Sequence, residues 1–369
     1  MAALIIIFTV SVAFSIFAVS LVLRISHHKE WYDNIDERKI HSGAIPRLGG
    51  IGFGSAFFII VISISIYLGI TGTDIRRYIP CGIAMAFILA TGAYDDFRMV
   101  SPRYKILFQF ASAVLILITR FDFDRLLYTG SGIITNLGYF SIPLTILWVV
   151  GITNAFNLID GVDGLAGGIA LIIAFFLGLI YFSYSGVSKS VLLCVCLIGV
   201  IIGFLVFNAP FPRAKIFMGD CGSQFLGFTL ALIPLMKEAD KPTSLPLFYA
   251  ASLFLIPILD TTAAVWRRLR DGKNIYDPDK SHLHHKLINM GCDAKKVDII
   301  IFSVQIVIGI FTFIAIRMEK EGDVIKSLIV LGAGYLFALV FFTAIHFLNR
   351  SSMKKSSEVN SGDNSPATD

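Results

Sequence analysis

Four short polar stretches hold most of the acidic and histidine residues able to do chemistry in this chain. They read Tyr94-Asp95-Asp96-Phe97, Asn157-Leu158-Ile159-Asp160-Gly161-Val162-Asp163-Gly164, Phe217-Met218-Gly219-Asp220 and His282-Leu283-His284-His285. Asp95 and Asp96 are followed closely by Arg98, Arg103 and Lys105. An acidic pair beside several cations suits a metal and anionic phosphates together, although two acids at a helix end also serve as a cap. Asp160 and Asp163 are spaced to share one face of a helix, and the glycines around them permit close backbone approach. Asn154 and Asn157 add oxygen ligands or amide donors. Hard oxygen donors with few thiols favour Mg²⁺ over zinc. Asp220 reads equally as a helix cap or, beside the other stretches, as a Mg²⁺ ligand. The histidines follow Arg267-Arg268-Leu269-Arg270 and have no cysteine beside them. That loop suits recognition of phosphates or a sugar better than a metal.

The elements that must position these residues are apolar. The chain has 369 residues, of which 56% are hydrophobic and 15% charged. A soluble domain carries roughly 25% charged residues. With a mean hydropathy of +0.76, the chain reads as an all-α, polytopic membrane helix bundle. About eleven spans are expected, at 3–23, 48–69, 79–94, 106–119, 141–157, 165–184, 190–207, 222–236, 246–265, 298–316 and 325–348. The first is long enough to span and lacks a basic leader, so it is expected to be retained. Residues 1–350 form one integral membrane domain, followed by a disordered cytoplasmic tail at 351–369. A small hairpin is expected within 120–140 around Gly130-Ser131-Gly132.

The gaps on one side of the membrane, with the tail, carry 21 of the 31 Lys and Arg. That side is cytoplasmic by the positive-inside rule, with the N-terminus outside and the C-terminus inside. All four polar stretches fall on it. The net charge of +5 reflects those loops and implies no nucleic acid. The five cysteines form no CxxC pair, which argues against a disulfide framework or a zinc site. Acids deep in the bilayer would instead mark a secondary transporter.

These signatures, in this order and on one face, resemble the polyprenyl-phosphate N-acetylhexosamine-1-phosphate transferases. The resemblance covers residues 36 to 290. It implies transfer of GlcNAc-1-phosphate from UDP-GlcNAc to undecaprenyl phosphate, or the same chemistry with another UDP-N-acetylhexosamine. It implies a bacterial cytoplasmic membrane, Mg²⁺ (or Mn²⁺ in its place), contact with membrane lipid, and a product that feeds O-antigen, teichoic acid or a similar polymer; it leaves open whether the protein is a homodimer. By the same resemblance, His41 lies in the family's first cytoplasmic loop. Asp95, Asp96 and Lys105 match its acidic pair and phosphate-contacting lysine. Asn157, Asp160 and Asp163 match its central loop, and Asp220 its Mg²⁺ aspartate. The resemblance leaves the roles of Asp95 and Asp96 undivided. His282, His284 and His285 match the branch with UDP-GlcNAc-like donors, because Leu283 interrupts a run of three histidines. Asn154 and Arg267 are expected to meet substrate.

Overall fold

The computed structural model describes residues 1–32, 45–69, 73–127, 137–209, 213–237, 244–277, 279 and 281–362. His41, most of the expected hairpin, and the last seven residues lie outside them. The helices are α1 (Ala2–His28), α2 (Gly49–Tyr67), α3 (Thr73–Arg98), α4 (Pro102–Leu117), α5 (Ser141–Ile159), α6 (Leu165–Ser185) and α7 (Lys189–Asn208). They continue with α8 (Gly219–Leu232), α9 (Leu247–Leu253), α10 (Leu255–Arg270), α11 (Leu283–Asn289), α12 (Ala294–Lys320) and α13 (Val324–Gly362).

The all-α membrane bundle stands. Each expected span has a helix, but the count of eleven does not carry over as eleven full crossings. Among the described residues eight helices are long and apolar enough to cross a membrane, or nine with the bent pair α9–α10 taken as one. α4 has 16 residues and α8 has 14, extended by a 3-10 turn at Ile233–Leu235. α13 runs on to Gly362.

α8 lies in the middle. Every residue from Cys221 to Leu232 is buried, the polar Ser223, Gln224 and Thr229 included. It packs on α2, α3, α5 and α6. The approach is backbone to backbone. A Cβ on Gly50 of α2 would collide with the Gly222 amide, and one on Gly92 of α3 would lie 2.6 Å from Cys221 Cα. Small residues of this kind let membrane helices close to van der Waals contact. α6 and α12 interlock likewise, with Phe302 seated on Gly168.

α9 and α10 meet at an angle of 85°. A break inside an apolar region frees carbonyl groups, which must find donors. Gln305 Nε2 donates to Leu253 O at 2.8 Å, while Ser252 bonds Thr312 and Tyr249 bonds Ser327, each at 2.7 Å. The bend is thus tied to α12 and the start of α13, and it fixes the direction in which α10 carries its polar residues toward the loop end.

Candidate active site

The N-terminus of α8 is the centre of the site. Gly219 has φ +74°, a left-handed conformation that glycine adopts without strain. A Cβ there would strike Arg47 O and lie 2.6 Å from Asp96 Oδ2. The 217–218 backbone runs beside the start of α2: Gly49 and Gly50 donate to Phe217 O and Met218 O at 3.0 and 2.9 Å, and Phe217 donates to Pro46 O at 2.8 Å. α2 thereby has its first N–H groups satisfied by the segment that leads into α8.

The adjacent acids of α3 do different things. Asp96 accepts from Asp220 N at 2.7 Å and Cys221 N at 3.0 Å, one bond to each carboxylate oxygen. It is a helix cap supplied from another helix, and a charged one at the positive end of α8. Asp95 is buried. It accepts from Val100 N at 2.5 Å, closing the turn into α4, and pairs with Lys105. Pro102 at the first position of α4 suits that turn, because its missing N–H would be unsatisfied there anyway.

Lys105 also reaches Asp220 Oδ2 at 3.1 Å. Asn157, at the end of α5, donates to Asp220 Oδ1 and to Ser223 Oγ, the latter at 3.0 Å. Asp220, Asp95, Lys105 and Asn157 therefore converge, drawn from α8, α3, α4 and α5. Asn154, one turn from Asn157, belongs to a different set. It is bonded to Gln109, which donates to Gln224 Oε1 at 3.0 Å. This amide ladder satisfies polar groups inside the bundle and engages the side chain expected to meet substrate.

Asp160 and Asp163 do not share a helix face. α5 ends at Ile159, and Gly164 at φ +82° starts α6, so the two acids stand on a tight turn. Asn208 Oδ1 accepts from Gly164 N at 2.9 Å and pins it. Burial pushes the Asp160 carboxyl up to about 7, repulsion from Asp220 and Asp163 adds to this, and Arg47 opposes it. A carboxyl whose folded value lies above its unfolded one binds its proton more tightly in the folded protein. The stability it brings is complete below the unfolded value and is lost as pH rises through about 7. Substrate-free Asp160→Asn protein is therefore expected to hold its Tm between pH 6 and 8 better than the wild type. Parallel pH slopes in thermal-shift scans would contradict this.

The last loop returns to α10. Arg267 is bound to Asp279, with Nη2–Oδ2 at 2.5 Å and Nε–Oδ2 at 3.2 Å. It thus anchors the loop at the residue expected to meet substrate. Asp260 accepts from Leu283 N at 2.8 Å and bonds His282 Nδ1 at 2.8 Å. The rings of His282 and His284 are parallel, 5.9 Å apart, and His285 lies 4.2 Å from His284. His284 Nε2 rests where a Cβ of Gly161 would be, which brings the histidine loop against the 160–164 turn. Burial holds the His284 imidazole down at about 3, and its histidine neighbours act in the same sense. That ring is neutral at physiological pH, so it adds no positive charge to the site.

Three residues escaped the sequence reading. Asp260 is a lone acid within an expected span, and such an acid is itself a functional signal. Asp298 is 8% exposed, with Oδ1 unpartnered. It lies one turn before Phe302, level with the 160–164 turn. Arg47 acts electrostatically on Asp96, Asp160 and Asp220. An apolar cavity of about 520 Å³ lies between the other ends of α2, α3, α7 and α8, lined by Phe57, Phe58, Tyr78 and Leu192 among others. It holds none of these acids.

Among the described residues no three carboxylate, imidazole or thiol groups converge as a metal cage. Mg²⁺ does not need one, since it is commonly held by one or two carboxylates with substrate phosphates and water. The donor set fits: oxygen-rich, with Cys221 Sγ turned to Leu89 O.

Comparison with known proteins agrees with this geometry. Residues 78–238 match the family model described as glycosyl transferase family 4. A Bacillus subtilis (strain 168) protein named probable undecaprenyl-phosphate N-acetylglucosaminyl 1-phosphate transferase is 33% identical over 344 residues, covering 92% of this chain and 89% of that one. The Escherichia coli (strain K12) undecaprenyl-phosphate alpha-N-acetylglucosaminyl 1-phosphate transferase is 30% identical over 285 residues, 73% of this chain and 72% of its own. The Yersinia pestis protein of the same name is 30% identical over 305 residues, 81% and 79% of the two chains. Likeness over that much of the chain, with the acids of α3, α8 and the turn after α5 at one end of the bundle, makes this chain a member of glycosyl transferase family 4.

Proposed function

We propose that the protein transfers GlcNAc-1-phosphate from UDP-GlcNAc to undecaprenyl phosphate, giving undecaprenyl-diphosphate-GlcNAc and UMP. The observation that carries this is the convergence of Lys105, Asp220, Asp95 and Asn157 at the ends of apolar helices. A site placed there meets a soluble nucleotide sugar and a lipid phosphate together. A transporter would instead expose its acids along a path through the bilayer. The loop charges argue for a cytoplasmic site in the bacterial inner membrane, with the N-terminus outside.

An oxygen of the lipid phosphate attacks the sugar-proximal phosphorus, the P–O bond to UMP breaks, and UMP leaves with the electron pair. Lys105 and Arg47 offset negative charge on the phosphates. Asp220 and Asn157 would hold Mg²⁺, which when bound neutralises diphosphate charge. Both oxygens of Asp96 are occupied by amides, so its part is to place Asp220. Asp95, whose oxygens meet Val100 N and Lys105, sets Lys105 toward the acceptor phosphate. Asp160, Asp163 and the histidines hold the donor.

The test uses purified protein in detergent with undecaprenyl phosphate, Mg²⁺ and a panel of UDP-sugars, following UMP release. Lipid-dependent UMP from UDP-GlcNAc is the expected result. UMP from a different UDP-N-acetylhexosamine alone would correct the donor, and no UMP from any donor would overturn the reading.

A further inference from the structure

The break between α9 and α10 delivers one carboxylate, Asp260, into the bundle. It is 2% exposed and lies on the buried stripe Ile256, Asp260, Ala264 and Arg268 of α10. A charge in such a place is costly unless paired and hydrogen-bonded. Both its oxygens are used, and both bonds go to the start of α11: Oδ1 accepts from Leu283 N, and Oδ2 meets His282 Nδ1. An ionised carboxylate only accepts hydrogen bonds. His282 Nδ1 must therefore carry a proton, and Nε2 is the nitrogen on the side of the ring away from α10. The parallel ring of His284 stacks beside it and rests on Gly161.

We infer that Asp260 is a positioning residue for phosphosugar transfer: through His282 Nδ1 it sets the orientation and hydrogen-bonding sense of the nitrogen that meets the donor. The inference rests on the proposal that His282 contacts the donor. Asp260 touches no substrate itself. It differs from a simple brace in that its acceptor-only chemistry, and not just its volume, is required.

Asp260→Asn isolates that requirement. The asparagine carbonyl keeps the bond to Leu283 N, and its NH₂ then faces Nδ1 and forces the ring proton to Nε2. The expected result, in full-length protein, is a fall in kcat of at least about tenfold with the KM for UDP-GlcNAc within about twofold, following the tautomer effect seen when a histidine's carboxylate partner becomes an amide. His282→Gln should lose a similar factor, and the double variant should lose little more than either, because the two act as one unit. Asp260→Glu, which keeps an acceptor-only carboxylate, should retain more kcat than Asp260→Asn, and it carries the test if the asparagine variant does not fold. Wild-type kcat in Asp260→Asn, a rise in KM alone, or additive losses in the double variant would overturn the inference while leaving the role of His282 intact. Full activity in His282→Gln would instead overturn the donor-contact reading on which the inference stands.

Discussion

Asp220→Ala is expected to leave a folded membrane protein with kcat reduced on the order of 10³-fold, at the upper end of the loss from removing one preorganised electrostatic group. Asp220 is the meeting point of Lys105, Asn157 and the α8 N-terminus. Alanine is a good helix residue and leaves the backbone amides of α8 bonded to Asp96, so the helix survives. The site loses the carboxylate proposed to hold Mg²⁺, and Lys105 keeps only Asp95 as a partner. UMP release at several Mg²⁺ concentrations checks this, with size-exclusion behaviour as the folding control. Near-wild-type activity at ordinary Mg²⁺ would sink the assignment of Asp220 as the principal metal ligand.

Gly219→Ala is the second large expected effect, and it works through the backbone. The left-handed conformation costs a non-glycine residue roughly 1–3 kcal/mol. The added carbon also has no room, since Arg47 O and the Asp96 carboxylate occupy its place. Relief requires the α2 start, the end of α3 or the start of α8 to shift, and each of these carries part of the site. Displacements of about 1 Å are enough to cost on the order of 10²-fold in rate. The expected outcome is a loss of at least that size together with a lowered Tm. A variant with wild-type Tm and kcat would show that the site tolerates movement the structure does not allow.

The spans and the one-sided clustering of acids were legible because both depend on local composition. That Asp95, Asp96, Lys105, Asn157 and Asp220 gather at one end of the bundle was legible for the same reason: each lies where a long apolar run gives way to polar residues. Which carboxylate does what was not. Asp95 and Asp96 are neighbours in sequence, and only the tertiary approach of α3 to α8 gives one an ion pair and the other two amide N–H groups. The spacing of Asp160 and Asp163 fitted a helix, but Gly161 and the left-handed Gly164 end one helix and begin another. Asp260 was hidden because hydropathy averages a single acid into its apolar neighbours. The pairing of Arg267 with Asp279 was not legible, because the two are twelve residues apart across a loop.

The glycine contacts at Gly50, Gly92 and Gly222 have a consequence for how this enzyme diversifies. Where backbones touch, no side chain remains to be repacked, so the phosphate end of the site has almost no sequence freedom. The histidine loop is held differently, by side-chain bonds from Asp260 and Arg267 to single points along it. Residues between those tethers can be exchanged without disturbing α2, α3 or α8. With the roles proposed above, donor choice and phosphoryl transfer become separate evolutionary variables. A library confined to 269–277, between the tethers at Arg267 and Asp279, should yield changes of sugar preference at little cost in turnover, whereas one drawn from 47–50 or 217–222 should yield mostly inactive protein.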